Sequence, residues 1–416
     1  MRRALIAASL LAGAVAGSLI MLTLQSVAPI GERSPGTTVS ATTSIASSSR
    51  QAGPGQTTID QVADTGSMPS ADQVLLVWTP AGLPAGFADR VAQLEDVTAV
   101  TTIQGDLVHL VQAESSDGEV TDLPPTGYVI PFELIAFDRG TYPAFLAPQE
   151  SLAFTDLLPD QVILGSTSAE LRGLGPGGVL TLEDGSVLGV TSVVPDVLIG
   201  GAEGAVLTSD AERLGVAVER YLLVRYTGMR AEIESLVRAE LPEGLAVRVR
   251  GPGETPVLRH GDAVLPQVAI KDRFGEFAYR PDDESTFEIQ PEWVVRNIVT
   301  AEVPLLGSVT CHRSLMPALA GAMEDLEERN LSFLVEPDGF RGCFNPRYIG
   351  AGRGISRHAW GAAVDINLGS NPEGLESVQD PRLIEVMERW GFTSGHEWLI
   401  PDPGHFEYIQ PPDPVG

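Results

Sequence analysis

Ser356-Arg357-His358-Ala359-Trp360-Gly361-Ala362-Ala363-Val364-Asp365-Ile366-Asn367 is the stretch on which the reading of this chain turns. From Ala363 onward, Ala363 and Asp365 alternate with Val364 and Ile366, the pattern of a strand buried on one face. Asp365 then projects opposite the apolar pair. Close to the C-terminus, His405 and Glu407 alternate with Phe406 and Tyr408 in the same way. His358 from a turn, Asp365 from one strand and His405 from a second could therefore converge. A His, Asp, His set leaves the fourth position of a tetrahedral zinc open for water, as hydrolytic chemistry requires.

Helices flank these strands. Asp380 as N-cap, Pro381 in the first turn, the apolar Leu383, Ile384, Met387 and Trp390, and Gly391 as terminator predict one between them. Another is predicted from Ser314 to about Asn330, with Leu315, Leu319, Met323 and Leu326 on one face and Pro317 tolerated in the first turn. Leu258 to Ala278 leads in, and Pro291-Glu292-Trp293-Val294-Val295 opens the regular region.

Ser356-x-His358-x-x-Gly361-x-Ala363-x-Asp365 matches the Ser-x-His-x-x-Gly-x-Ala-x-Asp signature of the VanY-type zinc peptidases. Gly391-Phe392, Trp398 and Asp402-x-x-His405-Phe406-Glu407 resemble that family's closing block, so the resemblance spans roughly residues 291 to 410. The family includes D-alanyl-D-alanine carboxypeptidases and L-alanyl-D-glutamate endopeptidases. The resemblance implies zinc (Zn2+) held by His358, Asp365 and His405. It makes Asp402 the carboxylate that takes a proton from the attacking water and passes it to the leaving amine. Glu407 and Glu397 are the competing carboxylates. Glu407 shares the face of His405 and would orient that imidazole, while Glu397, beside Trp398, would face solvent. An arginine stabilises the oxyanion in this family; Arg347 best matches its position, with Arg341 and Arg353 as alternatives.

The resemblance further implies an α+β domain over 255–416, with a small antiparallel sheet, helices on one side and the metal at the open face. Cleavage of peptide bonds in peptidoglycan stem peptides follows, as a D,D-carboxypeptidase or, by the closing block, an L-Ala-D-Glu-type endopeptidase. The alternative is an inactive wall-binding or regulatory protein with a peptidase-like domain. His396, Ser394 and Gly404 stand where the family commonly has glycine, tryptophan and methionine, departures that bear on substrate preference. Ser356 lacks the Gly-x-Ser-x-Gly turn of a nucleophile and reads as a hydrogen-bonding neighbour of the ligand. His312 reads as a core histidine, and His109 and His260 have no recognisable partners.

Upstream, residues 73–251 read as a separate α+β domain. Val74-Leu75-Leu76-Val77-Trp78 is a buried strand, followed by a short helix (Phe87, Val91, Leu94) and strands near Val97–Thr102 and Leu107–Val111. Tyr221–Tyr226, Met229–Leu241 and Leu245–Val249 repeat the strand, helix, strand order. Two such pieces around a middle segment predict a split α+β sandwich with a β-rich insertion: strands at Val162–Ser166, Val179–Leu182, Val187–Val193 and Ala205–Ser209, and a helix at Ala169–Leu174. Leu164-Gly165-Ser166-Thr167-Ser168-Ala169-Glu170 resembles the extracytoplasmic core of certain ABC-transporter permease subunits, without any ATP-binding segment. No catalytic set occurs here; positioning, or binding an unknown protein partner, is the expected role.

Residues 31–72, rich in Ser, Thr, Gly, Pro and Gln, read as a flexible linker. Before it, Met1-Arg2-Arg3 precedes an uncharged apolar run to about Val27, long enough to cross a bilayer. Residues 1–30 are therefore expected to be a single-pass anchor with the remainder extracytoplasmic; Ala14-Val15-Ala16 offers the alternative of a cleaved signal and secretion. Hydrophobic residues at 43% and charged residues at 20% fit globular domains, and the net charge of −28 with no Lys/Arg cluster excludes nucleic acid as a partner. Cys311 and Cys343, the two cysteines, are expected to pair in an exported protein rather than ligate metal.

Overall fold

Apolar side chains at every position of β1 (Val74–Trp78) demand cover on both faces, and the strand receives it. Leu75 and Val77 enter one layer with Phe87 and Val91 of the helix Phe87–Val91 and with Ile233 and Val237 of the helix Arg230–Ala239. Leu76 and Trp78 enter the opposite layer with Phe137 and Tyr142. The computed structural model describes residues 73–79, 82–251, 264–282, 285–349 and 354–410. The expected anchor (1–30) and linker (31–72), together with His260 and Arg353, lie outside them.

β2 (Val97–Glu114) is one unbroken strand where the sequence predicts two. It runs long because it serves several neighbours in succession. β3 (Val120–Asp122), β4 (Ile130–Phe137), β5 (Gln161–Gly165), β6 (Val179–Leu182), β7 (Val187–Val194) and β8 (Gly204–Leu207) follow, and β9 (Glu219–Tyr226) and β10 (Arg248–Arg250) return to β1. Residues Val97–Gln104 of β2 pair with β9, Ile103–Leu110 with β4, and Leu110–Glu114 with β6. The sheet order is β10-β1-β9-β2-β4-β8-β5-β7-β6, and β6 also pairs with β2, so β2, β4, β8, β5, β7 and β6 close into a barrel-like ring. The predicted split sandwich corresponds to β10-β1-β9-β2 with its two helices. The insertion is a closed ring sharing β2, and closure leaves it few free edges.

In the C-terminal half, the helix Gln267–Phe274 precedes the paired β11 (Tyr279–Arg280) and β12 (Glu288–Ile289). After the helix Pro291–Asn297 come the hairpin strands β13 (Ile298–Val303) and β14 (Gly307–His312). β15 (Ala363–Asp365), β16 (Phe392–Gly395) and β17 (Asp402–Tyr408) form an antiparallel sheet of order β15-β17-β16. Both predicted helices are present, as Met316–Glu328 and Pro381–Arg389, the second capped by the Asp380 side chain at 2.9 Å from the Arg382 amide. Leu319, Met323 and Leu326 meet Leu383, Val386 and Met387 in one core with Val364 and Phe406. A Cβ at Gly321 would fall 2.3 Å from the Trp390 ring, so glycine sets how closely these helices approach. β15 is covered on both faces, not one: Ala363 is as buried as Val364.

The two halves meet over charge. Lys271 Nζ sits 2.6 Å from Glu203 Oε1 and 2.7 Å from Glu276 Oε1, and Arg172 Nη2 lies 2.6 Å from the same Glu276 oxygen. Lys271, Glu203 and Arg172 have fully buried side chains. Glu203 also accepts the Glu133 amide at 2.8 Å. Removing one partner of such a set would leave an uncompensated buried charge, at a cost of about 3–5 kcal/mol. His109, which the sequence leaves without partners, belongs to the same seam: Glu183 lies on Nδ1, and Tyr279 Oη is 2.8 Å from Nε2.

Candidate metal centre

His358 sits in a single tight turn, Arg357–Trp360, and each flanking residue of its motif has a physical task. Ser356 Oγ accepts the His358 amide at 3.4 Å, closing the start of the turn. Gly361 ends it at φ 62°, and a Cβ there would fall 2.6 Å from the His312 amide nitrogen on β14. Downstream the β15–β17 register pairs Asp365 with His405 and Ala363 with Glu407. Directly opposed residues of two strands share a face, so Asp365 and His405 are brought side by side. The small Ala363 leaves space for the Glu407 carboxylate.

The donor atoms converge. His358 Nε2 lies 3.1 Å from Asp365 Oδ1 and 3.2 Å from His405 Nδ1, which is itself 3.0 Å from Asp365 Oδ1. Outward-facing atoms decide what the inward ones offer. His358 Nδ1 is 2.8 Å from the Cys343 carbonyl, which can only accept, so this nitrogen carries the proton and Nε2 presents its lone pair. His405 Nε2 lies 3.5 Å from Glu407 Oε1, which likewise turns the Nδ1 lone pair inward. Glu407 is braced by the Val264 amide at 2.9 Å.

Three acceptors this close in a buried site need a cation among them. Burial alone would lower the His405 pKa, but hydrogen bonds and charge from Asp365 and Glu407 raise it to about 10. Burial would raise Asp365, yet the two histidines hold it well below the ordinary carboxylate range. Glu407 is also low: burial is outweighed by the hydrogen bond from His405 and the charge of Arg357. A proton answers this demand, and so does a divalent ion. With zinc–ligand bonds of ~2.0–2.1 Å, tetrahedral geometry puts donors about 3.3 Å apart, close to the separations seen. The residues fit the metal.

Asp402 begins β17 opposite Gly395. Its Oδ1 is buried without a hydrogen-bond partner among the described residues. Burial raises its pKa, against the lowering influence of His405 and with the repulsion of Asp365. Arg347 has its carbonyl 3.0 Å from the Ser356 amide, alongside the turn that carries His358, and its guanidinium makes no hydrogen bond or ion pair among the described residues. Arg341 is also nearby, its amide 3.0 Å from the Asp365 carbonyl. The Glu397 side chain is 85% exposed. His312 is a core histidine: Nδ1 meets Ser314 Oγ at 2.6 Å, Nε2 meets the Phe274 carbonyl at 3.2 Å, and burial lowers its pKa to about 4.

Sequence reasoning missed two participants and the contact made by a third. Cys343 acts through a backbone oxygen, which no residue pattern marks. Its disulfide with Cys311 is present and fixes that carbonyl's segment. Arg357, a variable position of the motif, is 3% exposed and donates to the Leu265 carbonyl at 2.7 Å, close enough to Glu407 to lower its pKa. Trp398 packs on His405 with ring centroids 5.2 Å apart; only its place in the closing block singled it out.

A family model described as D-alanyl-D-alanine carboxypeptidase matches residues 350–408. This short C-terminal region is thus similar to peptidases, and it contains all three donors and Asp402. No curated sequence matches the chain. Among solved structures, the periplasmic region of MacB from Actinobacillus actinomycetemcomitans aligns at 10% identity and a TM-score of 0.30, over 44% of this chain and 90% of that one. The extracellular domain of the noncanonic ABC-type transporter YknZ from Gram-positive bacteria aligns at 12% identity and 0.28, over 43% and 100%. Scores this low establish neither a shared fold nor a shared role.

Proposed function

We propose that the C-terminal half is a zinc-dependent peptidase that hydrolyses peptide bonds in peptidoglycan stem peptides. The observation that carries this reading is the meeting of two imidazole nitrogens and one carboxylate oxygen at 3.0–3.2 Å, each imidazole held by an outward partner. His358, Asp365 and His405 would hold the metal, which supplies Lewis-acid polarisation and water activation when bound. Asp402 accepts a proton as the water oxygen attacks the carbonyl carbon, then returns it to the nitrogen as the C–N bond breaks. A carboxylate whose pKa is raised by burial suits both halves of that transfer. Arg347, with a guanidinium free of described partners, is assigned the developing oxyanion. The apolar run after Arg3, read from sequence alone, would anchor the chain in the membrane and keep the site outside it.

Metal analysis of the full chain beside His358→Ala and His405→Ala tests the centre: the parent should carry zinc and both variants should lose it. Incubation with defined muropeptides and mass analysis of the products separates removal of a terminal D-alanine from cleavage within the stem. Asp402→Asn should keep the metal and lose hydrolysis. A metal-free, inert parent would favour the wall-binding alternative.

A further inference from the structure

His396–Pro401 joins β16 to β17, and it also touches the other half of the molecule. Trp398 lays its indole on His405 at a centroid distance of 5.2 Å. Its neighbours on either side engage the upstream half instead. The Glu397 carbonyl accepts a hydrogen bond from Arg248 Nη2 of β10 at 3.1 Å. Leu399 packs, partly buried, on the apolar cluster containing Trp78, Phe137, Tyr142 and Phe145, whose other members all come from residues 74–223. Asp402 follows immediately, and the Pro401 carbonyl is held by the Gly374 amide at 2.6 Å.

The Trp398 amide donates to the Gly395 carbonyl at 3.1 Å, and no helix or strand runs through His396–Pro401. A short connection of this kind samples many conformations unless contacts outside it remove them. Arg248 and the cluster beneath Leu399 supply such contacts from the upstream half, and the Gly374 amide on the Pro401 carbonyl supplies one from the C-terminal half. Residues either side of Trp398 are thus tied to one half while Trp398 presses on a ligand in the other.

We propose that Leu399 and Arg248 are positioning residues, through which the upstream half seats Trp398 against His405. This rests on the reading of His358, Asp365 and His405 as that centre. The upstream half then has a task without a catalytic group of its own: it restrains one wall of the site.

The test uses the full chain. Leu399→Ala and Arg248→Ala should bind zinc as the parent does, lose about tenfold in kcat and leave KM within about twofold. Leu399→Met should recover most of the loss, and Val295→Ser, on an exposed helix position, should match the parent. Hydrogen exchange at the Trp398 amide should quicken about tenfold in both alanine variants. Parent-like kcat together with parent-like exchange at Trp398 overturns the proposal. If Leu399→Ala does not fold, Arg248→Ala decides by the same two readings. A parent without zinc or hydrolysis sinks the peptidase reading alone, because exchange at Trp398 still judges the seating of the segment.

Discussion

Breaking the Cys311–Cys343 bridge separates two effects that the structure places in one loop. The cysteines are 32 residues apart, and closing a loop of that size restricts the unfolded chain by about 3–4 kcal/mol. The same bridge steadies Cys343, whose carbonyl holds His358 Nδ1 at 2.8 Å. Reduction does not free that carbonyl entirely. The Phe344 amide still donates to the Thr310 carbonyl at 3.0 Å, the Asn345 amide to the His358 carbonyl at 2.9 Å, and the Asp365 amide to the Gly342 carbonyl at 3.2 Å. Stability should therefore fall by the full loop contribution, whereas zinc affinity should drop by no more than about tenfold, the lower end for losing an outer-sphere partner. Urea unfolding of the parent, the reduced parent and a Cys311→Ala/Cys343→Ala variant gives the first quantity. Competition with a chelator gives the second. A midpoint unmoved after complete reduction would refute the loop argument. An affinity loss of about a thousandfold would show that the hydrogen bonds around Cys343 do not hold without the bridge.

Three further outcomes follow from the geometry. Glu407→Gln removes the charge that faces His405 Nε2 at 3.5 Å, and zinc affinity by chelator competition should fall about 10–100-fold; an unchanged affinity refutes the orienting role. Gly361→Ala places a side chain at φ 62° against the His312 amide and should cost roughly 2–4 kcal/mol in urea unfolding, a loss that a parent-like midpoint would contradict. Burial raises the Glu133 pKa from 4.5 to about 7, so its folded form binds the extra proton. Its contribution is complete below about pH 4.5 and is lost as pH rises through 7, to the extent of roughly 3 kcal/mol. Glu133→Gln should flatten that stretch of the stability–pH curve, and a slope identical to the parent's would count against the assignment.

The group that could hold a metal was legible because its requirements are local. A capped turn needs Ser356 and Gly361, and a period of two puts Asp365 and His405 on facing positions once the register is set. Strands such as Val74–Trp78 were legible for a similar reason, since a run without polar positions has to be buried on both sides. The helix Gln267–Phe274 was not. Gln267 and Lys271 stand four residues apart, which on a helix is one face, and polar residues at that spacing ordinarily mark the solvent side. Here that face meets Glu203 and the Pro131 carbonyl, so the pattern has the opposite meaning. Nothing in Gln267 or Lys271 distinguishes the two cases; the answer lies in Glu203, far away in the chain.

The same asymmetry explains why the upstream half looked idle in sequence. A ligand announces itself by residue type and spacing, whereas a support acts through whatever surface it presents. Leu399 and Arg248 are ordinary residues for their elements, and Glu133 and Glu203 would pass for surface acids. Buried against Arg172 and Lys271, Glu203 instead answers cations contributed by both halves. The segment at Leu399 reaches Trp398, whose ring meets that of the candidate ligand His405 at a tilt, with centroids 5.2 Å apart. The His405 imidazole is thus approached from the upstream half, through apolar packing. Salt screens exposed charge but hardly touches apolar packing, so this approach should persist at high ionic strength.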